Sequence, residues 1–127
     1  MSRSDQESYA CNRAGAERLD ERKARIRHLN DELRRLFVGG RIMVTSGVQA
    51  LATDHLARAL RQVSCFADFN PDNDSHDEHD FGAVEVAGQR IFWKIDCYDK
   101  QLEYGSPDAA DPAVTARVLT IMLASEY

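Results

Sequence analysis

Residues 68–99 read DFNPDNDSHDEHDFGAVEVAGQRIFWKIDCYD, an acidic loop followed by a candidate β-hairpin. The acidic loop, residues 68–80, carries six carboxylates and two histidines but no lysine or arginine. Such a loop is typical either of a cation site or of a negative surface that attracts a basic partner. The pattern of the loop leaves both interpretations open.

The hairpin consists of two predicted strands, residues 81–86 and 90–98, around a turn at residues 87–89. Side chains alternate between the two faces of a strand, so every second residue shares a face. The face that we expect in the core holds Ile91, Trp93, Ile95 and Cys97. The opposite face holds Phe92, Lys94, Asp96 and Tyr98. This mixture indicates either a partly covered second face or the floor of a site.

Upstream of the loop, apolar residues recur every three or four positions between about residues 13 and 37, which predicts a long amphipathic helix. Arg34 and Arg35 near its end complement the helix dipole, and we expect them on a solvated helix face or, alternatively, on a surface that binds phosphate or an acidic partner. A β-branched run over residues 41–45 predicts a strand, and residues 53–66 predict a second helix. Residues 1–12 are polar and lack periodicity, so we expect a flexible tail there.

Downstream, Asp111 followed by Pro112 is a helix start signal, and the apolar run after it predicts a third helix over residues 112–125. Arg117 would project from this apolar helix and should meet a carboxylate, for which the candidates are Asp80, Asp96, Asp99 and Asp108. The expected fold class is α+β: a small, mostly antiparallel sheet, made of one strand plus the β-hairpin, covered by three helices. Residues 13–127 should form a single domain.

The composition of the chain argues against some classes of function. The chain has 127 residues, a formal charge of −5 and a pI of about 5.3, which argues against a general affinity for nucleic acid. Basic residues are concentrated in residues 13–41 and acidic residues after residue 68, so the charge is lopsided. Three widely spaced cysteines without a CxxC pair favour a reduced protein. Because no secretory signal or membrane span is visible, we expect a cytoplasmic protein.

Two kinds of chemistry are compatible with the loop and the hairpin. A small hydrolase would use an acid–base group made of His79, Asp80, Lys94 and Asp96. A metal ion would find its ligands among His76, Glu78, His79 and Asp80. These residues match neither the HExxH motif nor the DxDxDG calcium loop. We therefore expect no cofactor and favour a protein without catalytic activity.

A binding role uses the same region differently. An acidic loop beside a strand face of mixed charge suits a protein partner with a basic surface or a polar small ligand. The expected binding residues are Asp72, Asp74, Asp77, Glu78, His79, Asp80, Lys94, Asp96, Asp99 and Arg117. The oligomeric state is left open by the sequence.

Four phrases of the chain, GGRIMVTSGVQAL, DNDSHDEHDFG, FWKIDCYD and GSPDAADPAVTARVLTIMLASEY, resemble a bacterial family of proteins of unknown function. The resemblance covers about residues 26–127. The chain departs from the family phrases at residues 75–77, at Cys97 and in residues 108–112, which weakens any role for His76 or Cys97.

The resemblance implies a genomic location and not an activity. Similar proteins are encoded on plasmids and other mobile regions, beside anti-restriction genes. By association, the expected function is a non-enzymatic binding or inhibitory protein of a mobile element, of an anti-defence type. The alternative is a small metal- or histidine-dependent hydrolase.

Overall fold

One four-stranded sheet with helices on one of its faces forms the framework. The computed structural model describes residues 3–127, and their side chains from residue 18 onward. In chain order the elements are α1 (Arg3–Leu36), β1 (Arg41–Val44), α2 (Ser46–Gln49), α3 (Thr53–Cys65), β2 (Phe81–Val86), β3 (Gln89–Tyr98) and β4 (Ala116–Leu123). Short 3-10 helices, Pro112–Val114 and Ala124–Glu126, flank β4. The α+β class predicted from the sequence is confirmed.

The order of strands in the sheet is β1-β4-β3-β2. The β2–β3 and β3–β4 pairs are antiparallel, whereas β1 pairs with β4 in parallel, in a register that places Arg41 opposite Val118. The sheet is therefore mixed. A parallel pair requires a long connection between its strands, and here α2, α3 and the hairpin provide it.

The predicted third helix over residues 112–125 is wrong, because most of this segment is strand β4. Asp111 does cap a helical turn, as predicted: its Oδ1 accepts a hydrogen bond from the Ala113 N–H at 2.9 Å. That helix is only a 3-10 turn, and Thr115 is already extended. β4 carries apolar residues on both of its faces, and even on the face without helices Val118 and Met122 are buried. A continuous apolar run looks alike in a buried helix and in a buried central strand.

Helix α1 begins at Arg3, well before the predicted start near residue 13. It ends where Phe37 and Gly39 adopt left-handed backbone angles, with φ of 56° and 86°. Residues 1 and 2 lie outside the described residues, and a flexible tail over residues 1–12 stays a prediction. In the described part of the chain, no helix combines the length and apolar character needed to cross a membrane.

The hydrophobic core lies between the helices and the inner face of the sheet. Its buried members are Leu33, Val48, Ala59, Val63, Val86, Ile91, Trp93, Ile95, Leu119 and Ile121. The predicted alternation along β3 is confirmed for the first three core positions, whereas Cys97 is only half-buried. Trp93 is fully buried, as predicted, but it lies beside Ile121 of β4 instead of packing on a C-terminal helix.

Arg34 joins α1 to α3 and is fully buried, so it does not belong to a solvated helix face. Its Nη1 donates to the carbonyl oxygens of Val63, Ser64 and Phe66 at 3.0, 3.2 and 2.8 Å. These carbonyls lie at the end of α3, where carbonyls lack partners within the helix. The arginine of one helix therefore caps another.

The rest of the Arg34 guanidinium is enclosed by a carboxylate and two rings. Its Nη2 donates to Asp31 Oδ1 at 3.0 Å, and its central carbon lies 5.3 Å from the Phe69 ring centroid and 5.1 Å from that of Trp93. Burial lowers the pKa of Arg34, and Asp31 opposes this shift. The aromatic part of the core is thus assembled around a paired cation.

Candidate functional site

The acidic loop is docked on α1. Asp77 Oδ2 pairs with Arg27 Nη1 at 2.6 Å, and Asn30 Nδ2 donates to the carbonyl of Glu78 at 3.0 Å. The lopsided charge seen in the sequence is therefore partly neutralised inside the fold, where the basic helix meets the acidic segment. Of the loop carboxylates, those of Asp68 and Asp72 belong to exposed residues without such a partner among the described side chains.

Asp74 organises the loop from inside. Its side chain is only 3% exposed. Its Oδ1 accepts hydrogen bonds from the N–H groups of Glu78 and His79, both at 3.0 Å, and its own N–H donates to the carbonyl of Asn70 at 2.8 Å. A carboxylate so enclosed is poorly placed to meet a partner. The structure places this expected binding residue under the surface.

His79 is held between α1 and the loop. Its Nδ1 lies 2.9 and 3.1 Å from the two carboxylate oxygens of Asp31. Its Nε2 faces Asp74 Oδ2 at 3.6 Å and Asp77 Oδ1 at 4.0 Å. Asp77 and His79 both adopt a left-handed φ of 55°, which is uncommon outside glycine and is maintained here by the surrounding bonds.

The metal candidates from the sequence are only partly brought together. One ligand atom each from Asp74, Asp77 and His79 lies within 4.8 Å of the others. Of the expected set only His79 belongs to this group, whereas His76, Glu78 and Asp80 do not. The loop turns back on itself at Asp74, so residues adjacent in sequence point in different directions.

The expected acid–base group divides between the two faces of the sheet. Lys94 Nζ pairs with Asp96 Oδ2 at 2.8 Å on the face without helices, and this hydrogen bond raises the pKa of Lys94. His79 lies on the helix side with Asp31. Burial raises the pKa of Asp80, which immediately precedes β2. Among the described residues, no ion pair connects His79 or Asp80 with Lys94 or Asp96.

Arg117 and Asp99 have structural partners. Arg117 was expected to meet a carboxylate, but its Nε donates to Asn30 Oδ1 at 2.6 Å and its Nη2 donates to the carbonyl of Ala109. Because β4 is a strand, Arg117 lies on the helix side of the sheet and faces α1. Asp99 Oδ1 accepts from the N–H of Glu103 at 3.0 Å and closes the turn after β3.

The residues of α1 that hold the loop were missed from the sequence: Arg27, Asn30, Asp31 and Arg34. The sequence around a polar residue of an amphipathic helix does not predict which distant residue it will contact. The available signal was the separation of basic residues before position 41 from acidic residues after position 68. Opposite charges in two segments of one domain favour contact between those segments.

The face of the sheet away from the helices contains a depression of about 710 Å³, here called the outer trough. β1, β4 and β3 form its floor, the turn after β3 contributes Leu102, and the segment after β4 contributes Tyr127. Its apolar and hydroxyl lining includes Met43, Leu102, Val118, Thr120, Met122 and Tyr127. Met43 is 58% exposed and Tyr127 75% exposed, so apolar surface is offered to solvent here.

Tyr127, which lines the outer trough, contacts two further aromatic rings. The Tyr127 ring lies edge-on to Phe92, with 5.5 Å between centroids, and 6.3 Å from Phe81. Phe81 and Phe92 are cross-strand neighbours on the same face, with 5.4 Å between their centroids. These contacts hold Tyr127 against the sheet.

The acids of the outer trough are already bonded. Asp96 pairs with Lys94. Glu126 accepts from the Thr45 hydroxyl at 2.7 Å and from the N–H groups of Gly47 and Leu123 at 3.2 and 2.9 Å, and these bonds lower its pKa. The trough therefore combines exposed apolar surface with acids that are already hydrogen-bonded.

Comparison with known proteins gives a family but no activity. Residues 44–126 match the family described as Protein of unknown function (DUF3768). No curated protein and no solved structure matches the chain. The matched region holds the sheet from the end of β1 onward, with the acidic loop, but not α1, so the Asp31–His79 contact joins the two parts. The chain belongs to the DUF3768 family of proteins of unknown function.

Proposed function

We propose that this protein is a non-enzymatic binding protein and that the outer trough is its binding site for a protein partner. The observation that carries this proposal is the exposed apolar surface on the helix-free face of the sheet, at Met43, Leu102 and Tyr127. Contiguous apolar surface rimmed by polar groups is typical of interaction sites. A volume of about 710 Å³ suits a short peptide segment.

The outer trough is preferred to the acidic loop because their side chains differ in availability. In the loop, Asp74 is buried, Asp77 pairs with Arg27 and His79 is packed on Phe69. In the trough, the side chains of Met43 and Tyr127 are exposed. Binding energy comes mainly from apolar and aromatic side chains that lose contact with water.

For the biological role, we propose an accessory protein of a bacterial mobile element, acting in the cytoplasm, that inhibits a host nuclease or effector by binding it. The support for this role is the resemblance of the sequence phrases to proteins encoded beside anti-restriction genes. Small inhibitors of this kind need a binding surface and no catalytic group, which is consistent with the outer trough.

A second function, a small metal- or histidine-dependent hydrolase, is favoured by one observation. A carboxylate that accepts from one ring nitrogen of a histidine while the other nitrogen faces further oxygen ligands is the arrangement of many metal-bound histidines. Asp31, His79 and the pair Asp74 and Asp77 have this arrangement. The hydrolase would thus use α1 and the loop, without Lys94 or Asp96.

Affinity capture from a lysate of the source cells, with matched variants as bait, tests the binding proposal. Met43→Glu should abolish capture of a partner, because it places a charge on the apolar floor. The control Leu19→Glu makes the same change at an exposed leucine of α1 and should retain the partner. Capture that is unaffected by Met43→Glu, together with hydrolysis of a phosphodiester that His79→Gln abolishes, would establish the second function instead.

A further inference from the structure

Two cations, Arg41 and Lys100, lie where the outer trough meets a smaller pocket. Arg41, an exposed residue at the start of β1, lines the outer trough and also an adjoining pocket of about 290 Å³. Lys100 lines the same small pocket, beside Gly39 and Gly40. Among the described side chains, neither Arg41 nor Lys100 forms an ion pair.

The acids that could neutralise these cations are engaged elsewhere. Asp96 is paired with Lys94 at 2.8 Å, and Glu126 is bonded to Thr45 and two backbone N–H groups. Asp99, next to Lys100 in sequence, accepts from the Glu103 N–H. Asp99 and Glu126 keep their negative charges in these bonds, but neither lines the small pocket. The lining of that pocket holds Arg41, Lys100 and Arg117 and no acidic residue, so its local charge is positive although the whole chain carries −5.

Apolar surface continues directly from the cationic end. Met43, two residues after Arg41 and on the same face of β1, is 58% exposed, and Leu102, near Lys100 in the same turn, is 41% exposed. A ligand that covers these side chains would bring its own charged groups to Arg41 and Lys100. Complementarity then requires carboxylates at that end of the ligand.

We infer that the outer trough binds an acidic, apolar-rich peptide segment of a protein partner, with the carboxylates of that segment at Arg41 and Lys100. The inference rests on the proposed function and specifies its partner. It reverses the charge of the partner expected from the acidic loop, because the fold buries Asp74 and pairs Asp77 with Arg27, whereas Arg41 and Lys100 form no ion pair among the described side chains. Arginine also binds a carboxylate through two parallel hydrogen bonds, which adds orientation to charge.

The test uses two capped synthetic octapeptides, one alternating leucine with glutamate and one alternating leucine with lysine, added to the ¹⁵N-labelled full chain. The glutamate peptide should shift the backbone amides of Met43 and Thr120 in NMR spectra, and added salt should weaken its binding. Arg41→Glu should weaken binding by roughly tenfold or more. The matched control Arg61→Glu reverses the charge of an exposed arginine on α3 and should change binding by less than about twofold.

Three results would overturn the inference. The first is stronger binding of the lysine peptide at the same amides, and the second is an equal effect of Arg41→Glu and Arg61→Glu. The third is no shift with either peptide at millimolar concentration. Arg41→Gln, which removes the charge without reversing it, should weaken binding less than Arg41→Glu, and the amide spectrum of each variant reports whether it is folded. If this inference fails, the proposed function is still tested separately by the Met43→Glu capture experiment. That experiment makes no assumption about the charge of the partner.

Discussion

The imidazole of His79 lies flat on the ring of Phe69, with 3.7 Å between the ring centroids and 2° between the ring planes. One edge of the same imidazole bonds to Asp31 of α1, and the other faces Asp74 and Asp77. A single side chain therefore connects the acidic loop with the long helix and with the aromatic part of the core.

Replacing His79 should loosen this connection. We expect His79→Ala to lower the free energy of unfolding by about 1–3 kcal/mol, because Asp31 loses a partner and Phe69 loses a stacked ring. The control His76→Ala removes an exposed histidine of the same loop and should change stability by less than about 0.5 kcal/mol. Urea unfolding measures both, and equal effects would show that His79 has no special role.

Arg34 and Arg35 are neighbours with opposite environments, and this permits a matched comparison. Arg34→Ala should destabilise the protein by about 3–5 kcal/mol, since it uncaps α3 and removes the partner of Asp31. Arg34→Lys should recover little of this loss, because an ammonium group cannot reproduce the planar set of donors. Arg35→Ala, at an exposed position, should be nearly neutral. A small effect of Arg34→Ala in urea unfolding would contradict the capping role.

Gly82 lies under the indole of its cross-strand partner, Trp93. A Cβ on Gly82 would lie closer to the Trp93 Nε1 than van der Waals contact allows. We expect Gly82→Ala to destabilise by roughly 1–3 kcal/mol through overpacking. In a Trp93→Phe background the same change should have a smaller effect, because the smaller ring leaves room. A double-mutant cycle measures this coupling, and additive effects would locate the strain elsewhere.

Asp80 should make stability depend on pH. Burial raises its pKa above the ordinary value of 3.8, so the folded protein holds this proton more tightly than the unfolded chain. Stability contributed by the protonated form is present below the ordinary value and is lost as the pH rises through the folded pKa. Asp80→Asn should therefore be more stable than the parent at about pH 7. The difference should shrink in acid, whereas Asp72→Asn, an exposed control, should change stability little at either pH.

The two cysteines with described side chains should differ in reactivity. Burial raises the pKa of the Cys97 thiol, whereas Cys65 is exposed at the end of α3. Because the thiolate is the reactive form, iodoacetamide should modify Cys65 well before Cys97 in the folded protein. Peptide mapping by mass spectrometry reads the order, and urea should remove the difference.

Local patterns predicted the elements whose neighbours lie close in sequence. Periodicity gave α1, α3 and the β2–β3 hairpin, and alternation placed Trp93 in the core. β4 was taken for a helix because its burial on both faces hides the alternation that marks a strand. The structure of β4 is decided by its pairing with β1 and β3. The residues of β4 themselves contain no pattern that predicts this pairing.

The candidate site was less predictable than the fold, for a related reason. The contacts of Asp77 with Arg27 and of His79 with Asp31 join residues 50 and 48 positions apart. Charge separation along the chain was visible, but it indicated free surfaces as readily as an internal contact. The sequence indicated that the face of β3 with Lys94, Asp96 and Tyr98 could be the floor of a site. It did not indicate that β1 and β4 extend this floor, because that depends on which face of β4 lies away from the helices.

The central position of β4 also governs the timing of folding during synthesis. β1 pairs only with β4, yet the ribosome makes residues 45–115 between them, which takes roughly 4–15 s at about 5–20 residues per second. Until Ala116–Leu123 has left the ribosome, β1 has no partner strand. One edge of β3, the strand that carries Ile91 and Trp93, is then also unpaired. Until β4 is available, the nascent chain therefore exposes the apolar face of β3, to which chaperones can bind.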